Sequence, residues 1–202
     1  MKNRGLILIS IVSFAAFLMI AIKGILINFS YKCDSIVNLK ISTIQTAGFI
    51  ELSKIIGILF DTYTLVGISL LISVVLWIKN RKKDAIFFSV TMLISAIIIW
   101  ISKELIQRAR PLNILINETN SSFPSGHALI AIVFFGMISY LMLKRNISKI
   151  QKITTIVISL IIILIIGFSR IYLNAHWLSD ILAGYFLGIF ILALGILIYK
   201  KF

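Results

Sequence analysis

One cysteine, two prolines, two histidines and seven acidic residues are all that this 202-residue chain holds of those types. With Cys33 alone there is no internal disulfide and no cysteine-based metal site. Two prolines in a chain with no Gly/Ser-rich stretch leave no linker, so one domain over residues 1–202 is expected. No internal repeat is visible. Charge is scarce as well: 13% of residues are charged, against 60% hydrophobic. Such a composition cannot cover the surface of a soluble domain and argues for residence in a membrane.

What is present fits that conclusion. The mean hydropathy is +1.08, and runs nearly free of Lys, Arg, Asp and Glu are long enough to cross a bilayer, which takes about 20 residues. They fall at 5–22, around 55–78 (interrupted by Asp61), 85–102, about 124–143, 153–169 and 181–199. The expected fold is therefore all-α, an integral membrane bundle of six transmembrane helices. The N-terminal run follows Lys2 and Arg4 as a signal peptide would, but Lys23, Gly24 and Ile25 come where a small-residue cleavage site belongs, so an uncleaved helix is expected. Two readings of the long stretch 28–54 stay open: an amphipathic segment along the interface, or an ordinary loop.

Basic residues in short loops set orientation. Lys2, Arg4, Lys79, Arg81, Lys82, Lys83, Lys144, Arg145, Lys149, Lys152, Lys200 and Lys201 fall on one side, twelve of the 20. That side is expected to be cytoplasmic, with both termini there and the loops at 28–54, 103–123 and 170–177 outside. The net charge of +13 is then topology signal and attraction to anionic headgroups, with no need of nucleic acid. No obligate protein partner is evident.

Of the other eight basic residues, Lys103, Arg108, Arg110 and Arg170 lie at polar breaks between helices. The ionisable residues near spans concentrate at the outer ends of spans three to six. Ionisable groups there are costly to keep and are functional candidates by default. "KELIQRARP" ends the third span; Lys103 and Arg110, seven apart, share a helix face if the helix runs that far. "SSFPSGHAL" starts the fourth: Pro124 suits a first helical turn, Ser121 and Ser122 are cap-type residues, and the N–H groups of Ser125, Gly126 and His127 point outward as an anion-attracting end. "SRIYLNAHWLSD" joins the fifth and sixth. There Arg170 ends one helix, and His176 and Asp180 are spaced to stack on one helical face. An Asp180 carboxylate accepting from one ring nitrogen leaves the other as nucleophile or base.

Both histidines and both prolines lie in these three segments, on one side of the membrane. Lys103, Arg110 and Arg170 with oriented N–H groups call for a multiply charged oxyanion such as phosphate. Two imidazoles allow nucleophile and general acid to be different residues. Three cations would repel a divalent ion from two His and one Asp, so neither metal nor cofactor is expected, and the pattern supports metal-free phosphoryl transfer.

These motifs, Lys103-x6-Arg110-Pro111, Pro124-Ser125-Gly126-His127 and Ser169-Arg170-x5-His176-x3-Asp180, resemble the three-part signature of the type 2 phosphatidic acid phosphatase superfamily. All eleven positions match in order. The resemblance implies a catalytic core in helices 3–6 and a phosphohistidine formed on His176. It also implies that Asp180 orients His176, that His127 protonates the leaving oxygen, and that Lys103, Arg110, Arg170, Ser125 and Gly126 cradle phosphate. The expected substrate is a lipid phosphate or diphosphate among the membrane lipids: undecaprenyl diphosphate, phosphatidylglycerol phosphate or phosphatidic acid. Water and an alcohol use the same pocket, so transfer to another lipid or a sugar stays open as an alternative. A transporter would carry polar residues deeper in its helices. Arg108 either assists the site or faces headgroups, and the segment LNILINETNSSF (112–123) has no assigned role.

Overall fold

Eight helices follow from the long Ile/Leu runs and the polar residues that stop them. In the computed structural model they are α1 (Arg4–Ile27), α2 (Lys32–Ile44), α3 (Ala47–Leu59), α4 (Thr62–Ile78), α5 (Lys82–Ile106), α6 (Gly126–Leu143), α7 (Lys149–Tyr172) and α8 (Leu178–Tyr199). Residues 3–27 and 32–201 are described. Lys2, which contributes to the topology signal, and residues 28–31, the start of the expected outer loop, lie outside the described residues. No strand occurs among the described residues.

Five helices are long and apolar enough to span a bilayer, and a sixth span is the pair α3 and α4, bent by 43°. Among the described residues there are thus five to six candidate spans for the six expected, the last four being α5 to α8. The second begins earlier than the charge pattern indicated, because Glu51 and Lys54 pair with each other at 2.7 Å on an exposed face instead of ending the helix. Asp61 marks the bend: its carboxylate accepts from the Tyr63 N–H at 3.0 Å and caps α4, as a short side chain at an N-cap does. Of the two readings of 28–54, the ordinary loop is overturned. Residues 32–44 and 47–59 are helical, and α2 packs where α7 ends and α8 begins.

Packing places α8 centrally, against α1 and α6, while α6 also meets α7 and α5. Phe88, Met92, Leu129, Ile130, Val133 and Met137 are fully enclosed between these helices. The faces of α1 and α7 instead expose large side chains such as Leu8, Ile11, Ile161 and Leu164, the pattern of helices solvated by lipid. Lipid tails are as apolar as leucine, so close backbone approach matters more than hydrophobic burial. Gly184 and Gly188 supply it. A Cβ on Gly184 would lie 2.6 Å from the Ser125 carbonyl oxygen, and one on Gly188 2.9 Å from that of Leu129. This contact sets the start of α8 beside the start of α6. At the other end of the bundle, Asp84 takes hydrogen bonds from Arg81 at 2.6 Å and Tyr199 at 2.5 Å, joining α5 to α8.

Candidate active site at the outer helix ends

The helix α5 does not reach Arg110. It stops at Ile106, and Gln107 takes a left-handed conformation (φ 45°) with its N–H on the Lys103 carbonyl at 3.1 Å. The shared helix face expected for Lys103 and Arg110 is thus absent; the turn at Gln107 and Pro111 just beyond end the α conformation. The two cations meet through Asn120, whose Oδ1 accepts from Lys103 Nζ at 3.1 Å and from Arg110 Nη2 at 2.6 Å. Arg110 also donates to the Asn120 carbonyl at 2.9 Å and the Ala175 carbonyl at 2.5 Å. Asn120 belongs to the unassigned 112–123 segment. So does Glu118, whose carboxylate pairs with Arg110 at 2.5 Å.

That segment is strapped down from both sides. Ser122 N–H donates to the Arg108 carbonyl at 2.9 Å, Leu115 N–H to the Leu173 carbonyl at 3.0 Å, and the Trp177 indole to the Ala109 carbonyl at 2.9 Å. Pro124 lies outside the next helix rather than in its first turn: α6 starts at Gly126 with Ser125 as its cap. Ser121 and Ser122 are therefore not caps. The Ser125 N–H, expected to face an anion, is used on the Asp180 carbonyl at 3.1 Å, and Ser125 itself is fully buried.

His127 on α6 and Arg170 on α7 converge on one turn of α3. His127 is 7% exposed, with Nε2 3.1 Å from the Gly57 carbonyl and 3.6 Å from Asp61 Oδ1. The buried Arg170 guanidinium donates to the Ser53 carbonyl at 2.5 Å and occupies the space a Gly57 side chain would fill. Sequence reasoning missed Gly57 and noted Asp61 merely as an interruption. Its ionisable side chain inside a span was the signal available.

His176 and Asp180 do not share a helix, since α8 begins at Leu178. Asp180 instead accepts from the Trp177 N–H at 2.9 Å and fastens the first turn. The expected hydrogen bond between the two is replaced: His176 Nδ1 lies 2.7 Å from the Ser122 carbonyl and 3.6 Å from Asp180 Oδ2. A carbonyl can only accept, so Nδ1 carries the proton and Nε2 keeps its lone pair. Arg110 Nη1 stands 3.4 Å from that Nε2.

Asp180, with no exposed surface, is paired to Arg108 at 2.6 Å. Arg108 in turn meets Asp34 of α2 at 2.8 Å. Of the two roles open to Arg108, facing headgroups is thus excluded. The α2 side chains that face the site are Asp34, Asn38 and Ser42. Asn38 donates to Asn174 at 3.0 Å, and Ser42 accepts from Asn113 at 2.9 Å and Asn174 at 3.2 Å. Their spacing of four is one stripe of a helix, a signal available in the sequence that went unread. Cys33 is exposed beside this stripe.

Electrostatics follow from this enclosure. Burial drives His176 well below its ordinary value of 6.5, and the Arg110 charge pushes the same way. Its imidazole is therefore neutral at neutral pH. Burial opposes ionisation of Glu118, yet the positive charge around it, that of Arg110 and Lys103 at neutral pH, outweighs burial and holds its carboxyl below the usual range. Glu118 is thus an anion held on Arg110. Beside it opens a cavity of about 530 Å³ whose wall includes Trp100, Lys103, Arg110, Glu118 and Asn120.

A helical bundle with candidate membrane spans thus gathers Lys103, Arg108 and Arg110 near a buried, singly protonated imidazole at one of its ends. Residues 84–202, more than half of the chain, match the PAP2 superfamily. The chain belongs to that superfamily. Phosphatidylglycerophosphatase B of Bacillus subtilis is 39% identical over 90 residues, 43% of this chain and 44% of that protein. An undecaprenyl-diphosphatase of Sulfolobus acidocaldarius is 29% identical over 125 residues, 58% of this chain and 56% of that protein. The matched stretch thus spans about half the length of these relatives. The crystal structure of a transmembrane PAP2 type phosphatidylglycerolphosphate phosphatase from Bacillus subtilis superposes with a TM-score of 0.85 over 95% of this chain and 96% of that one, at 23% identity. That match establishes the fold.

Proposed function

We propose that this protein is a membrane lipid phosphatase that removes a terminal phosphate from a lipid phosphate or diphosphate without a metal ion. The observation that carries the reading is the His176 Nε2 lone pair beside one amino group of the Arg110 guanidinium, whose other amino group already holds an anion, Glu118. A substrate phosphate displaces that carboxylate from Arg110, with Lys103 and Arg170 as its further cations. His176 Nε2 attacks phosphorus, an N–P bond forms, and the P–O bond to the lipid breaks. His127 gives a proton to the departing oxygen. It then takes one from the water that attacks phosphorus, which breaks the N–P bond and releases phosphate. Asp180 stabilises the positive phosphohistidine. Oriented donors of this kind are each worth on the order of a hundred- to a thousand-fold in rate.

The relatives' names support lipid phosphates as the class, with undecaprenyl diphosphate, phosphatidylglycerol phosphate and phosphatidic acid as the first to test. Basic-residue bias favours cytoplasmic termini and an outward site, where headgroups enter while tails stay in hydrocarbon. The test is phosphate release from these three lipids by the purified full chain in EDTA. Release by wild type and at least a thousand-fold less by His176→Ala is expected from the loss of a nucleophile. No release by wild type, or undiminished release by the variant, overturns the reading.

A further inference from the structure

The family match begins at residue 84, yet one buried charge at the site comes from well before it. Asp34 is 1% exposed, and α2 delivers it to the start of α8. One oxygen accepts from the Ser179 N–H at 2.8 Å; the other accepts from Ser179 Oγ at 2.6 Å and Arg108 Nη2 at 2.8 Å. The opposite side of the same guanidinium holds Asp180. Two carboxylates thus share one cation, a group with a net charge of −1. Without Asp34, Arg108 would face Asp180 alone and the group would carry one negative charge fewer.

We infer that Asp34 is a positioning residue of the site: by sharing Arg108 with Asp180, it keeps a net negative charge behind His176 that supports the positive form of that imidazole. The inference rests on the phosphohistidine reading for its effect on rate, but its electrostatic effect does not. The charges facing His176 come from several elements. Arg110, Lys103 and Glu118 stand on the cavity side, with His127 from α6. Asp180, Arg108 and Asp34 stand behind. Changing Asp34 alters the second set and leaves the first intact. A purely structural role for α2 already has anchors in Asn38 and Ser42, and those do not touch this charge.

The experiment is an NMR titration of the imidazoles in full-length protein in lipid nanodiscs; the two histidine signals are assigned with His127→Gln. Asp34→Asn removes one charge while keeping the shape. His176 should then titrate lower, by on the order of one pH unit for a like charge at this range in a buried site. Arg108→Gln should move it in the opposite direction, and D34N/R108Q, with the wild-type net charge, should bring it back. Asp34→Glu, which keeps the charge, should titrate as wild type. In turnover, D34N should lower kcat by about tenfold with KM within about twofold, as for loss of a stabilisation felt after binding. A His176 titration unmoved by R108Q or D34N, or moved the same way by both, overturns the inference. So does a D34N defect confined to KM. If D34N does not fold, the opposed or absent shift in R108Q still decides whether this group sets the charge at His176. If wild type releases no phosphate from any lipid phosphate, the proposed function fails while the titration still reads the effect of Asp34.

Discussion

In the proposed reaction Glu118 competes with the substrate phosphate for Arg110, and Glu118→Gln measures by how much. The amide keeps the shape and leaves Arg110 a neutral hydrogen-bond partner, but it removes the anion that Arg110 holds at 2.5 Å. The Arg110 and Glu118 side chains are 7% and 24% exposed. The pair therefore falls between a surface ion pair, worth up to about 1 kcal/mol, and a buried one, whose breakage costs about 3–5 kcal/mol. About 1.4 kcal/mol is a fair middle value and corresponds to about tenfold in affinity. Inorganic phosphate should accordingly inhibit the variant about tenfold more tightly than wild type, as a competitive inhibitor of lipid-phosphate turnover. Unchanged or weaker inhibition would refute the idea that the carboxylate competes with phosphate for Arg110.

Two further outcomes follow from the geometry. The proposed attack needs a neutral His176, and burial with Arg110 lowers its proton affinity below the ordinary 6.5. Protonation therefore sets in only at more acid pH, and kcat/KM should hold steady down to about pH 6.5 before falling; an acid limb centred above 6.5 contradicts this. Gly184→Ala forces a methyl group against the Ser125 carbonyl oxygen, which as backbone cannot swing aside. The start of α6 must move, at a cost of about 1–3 kcal/mol, read as a lowered Tm in detergent and a slower enzyme. An unchanged Tm argues against that contact.

Span count and the identity of the motifs could be read from the chain because both depend on local pattern. Ile-rich runs bounded by Lys and Arg locate α1 and α5 to α8 to within a few residues, and the motif residues do gather at one end. What escaped was how they gather. Seven-residue spacing suggested a helix face for Lys103 and Arg110, but the left-handed Gln107 ends that helix and Asn120 joins them. Four-residue spacing suggested a His176–Asp180 hydrogen bond. Instead the carbonyl of Ser122, 54 residues away in the chain, fixes the tautomer and Arg108 takes the carboxylate. Backbone acceptors carry no side-chain signature. The α2 stripe of Asp34, Asn38 and Ser42 was readable in principle, yet its short, weakly apolar helix left an amphipathic segment and an ordinary loop equally open. Its partners Arg108, Asn113 and Asn174 are set by the tertiary fold alone.

The central claim is that phosphate passes through a covalent bond to His176. Lipid diphosphate carrying a radiolabelled terminal phosphate, mixed with full-length protein and quenched in alkali within milliseconds, tests it directly. The account predicts label bound to the wild-type chain, stable in base, released in acid and absent from His176→Gln. Label retained by that variant, or no protein-bound label while wild type releases phosphate, would contradict it.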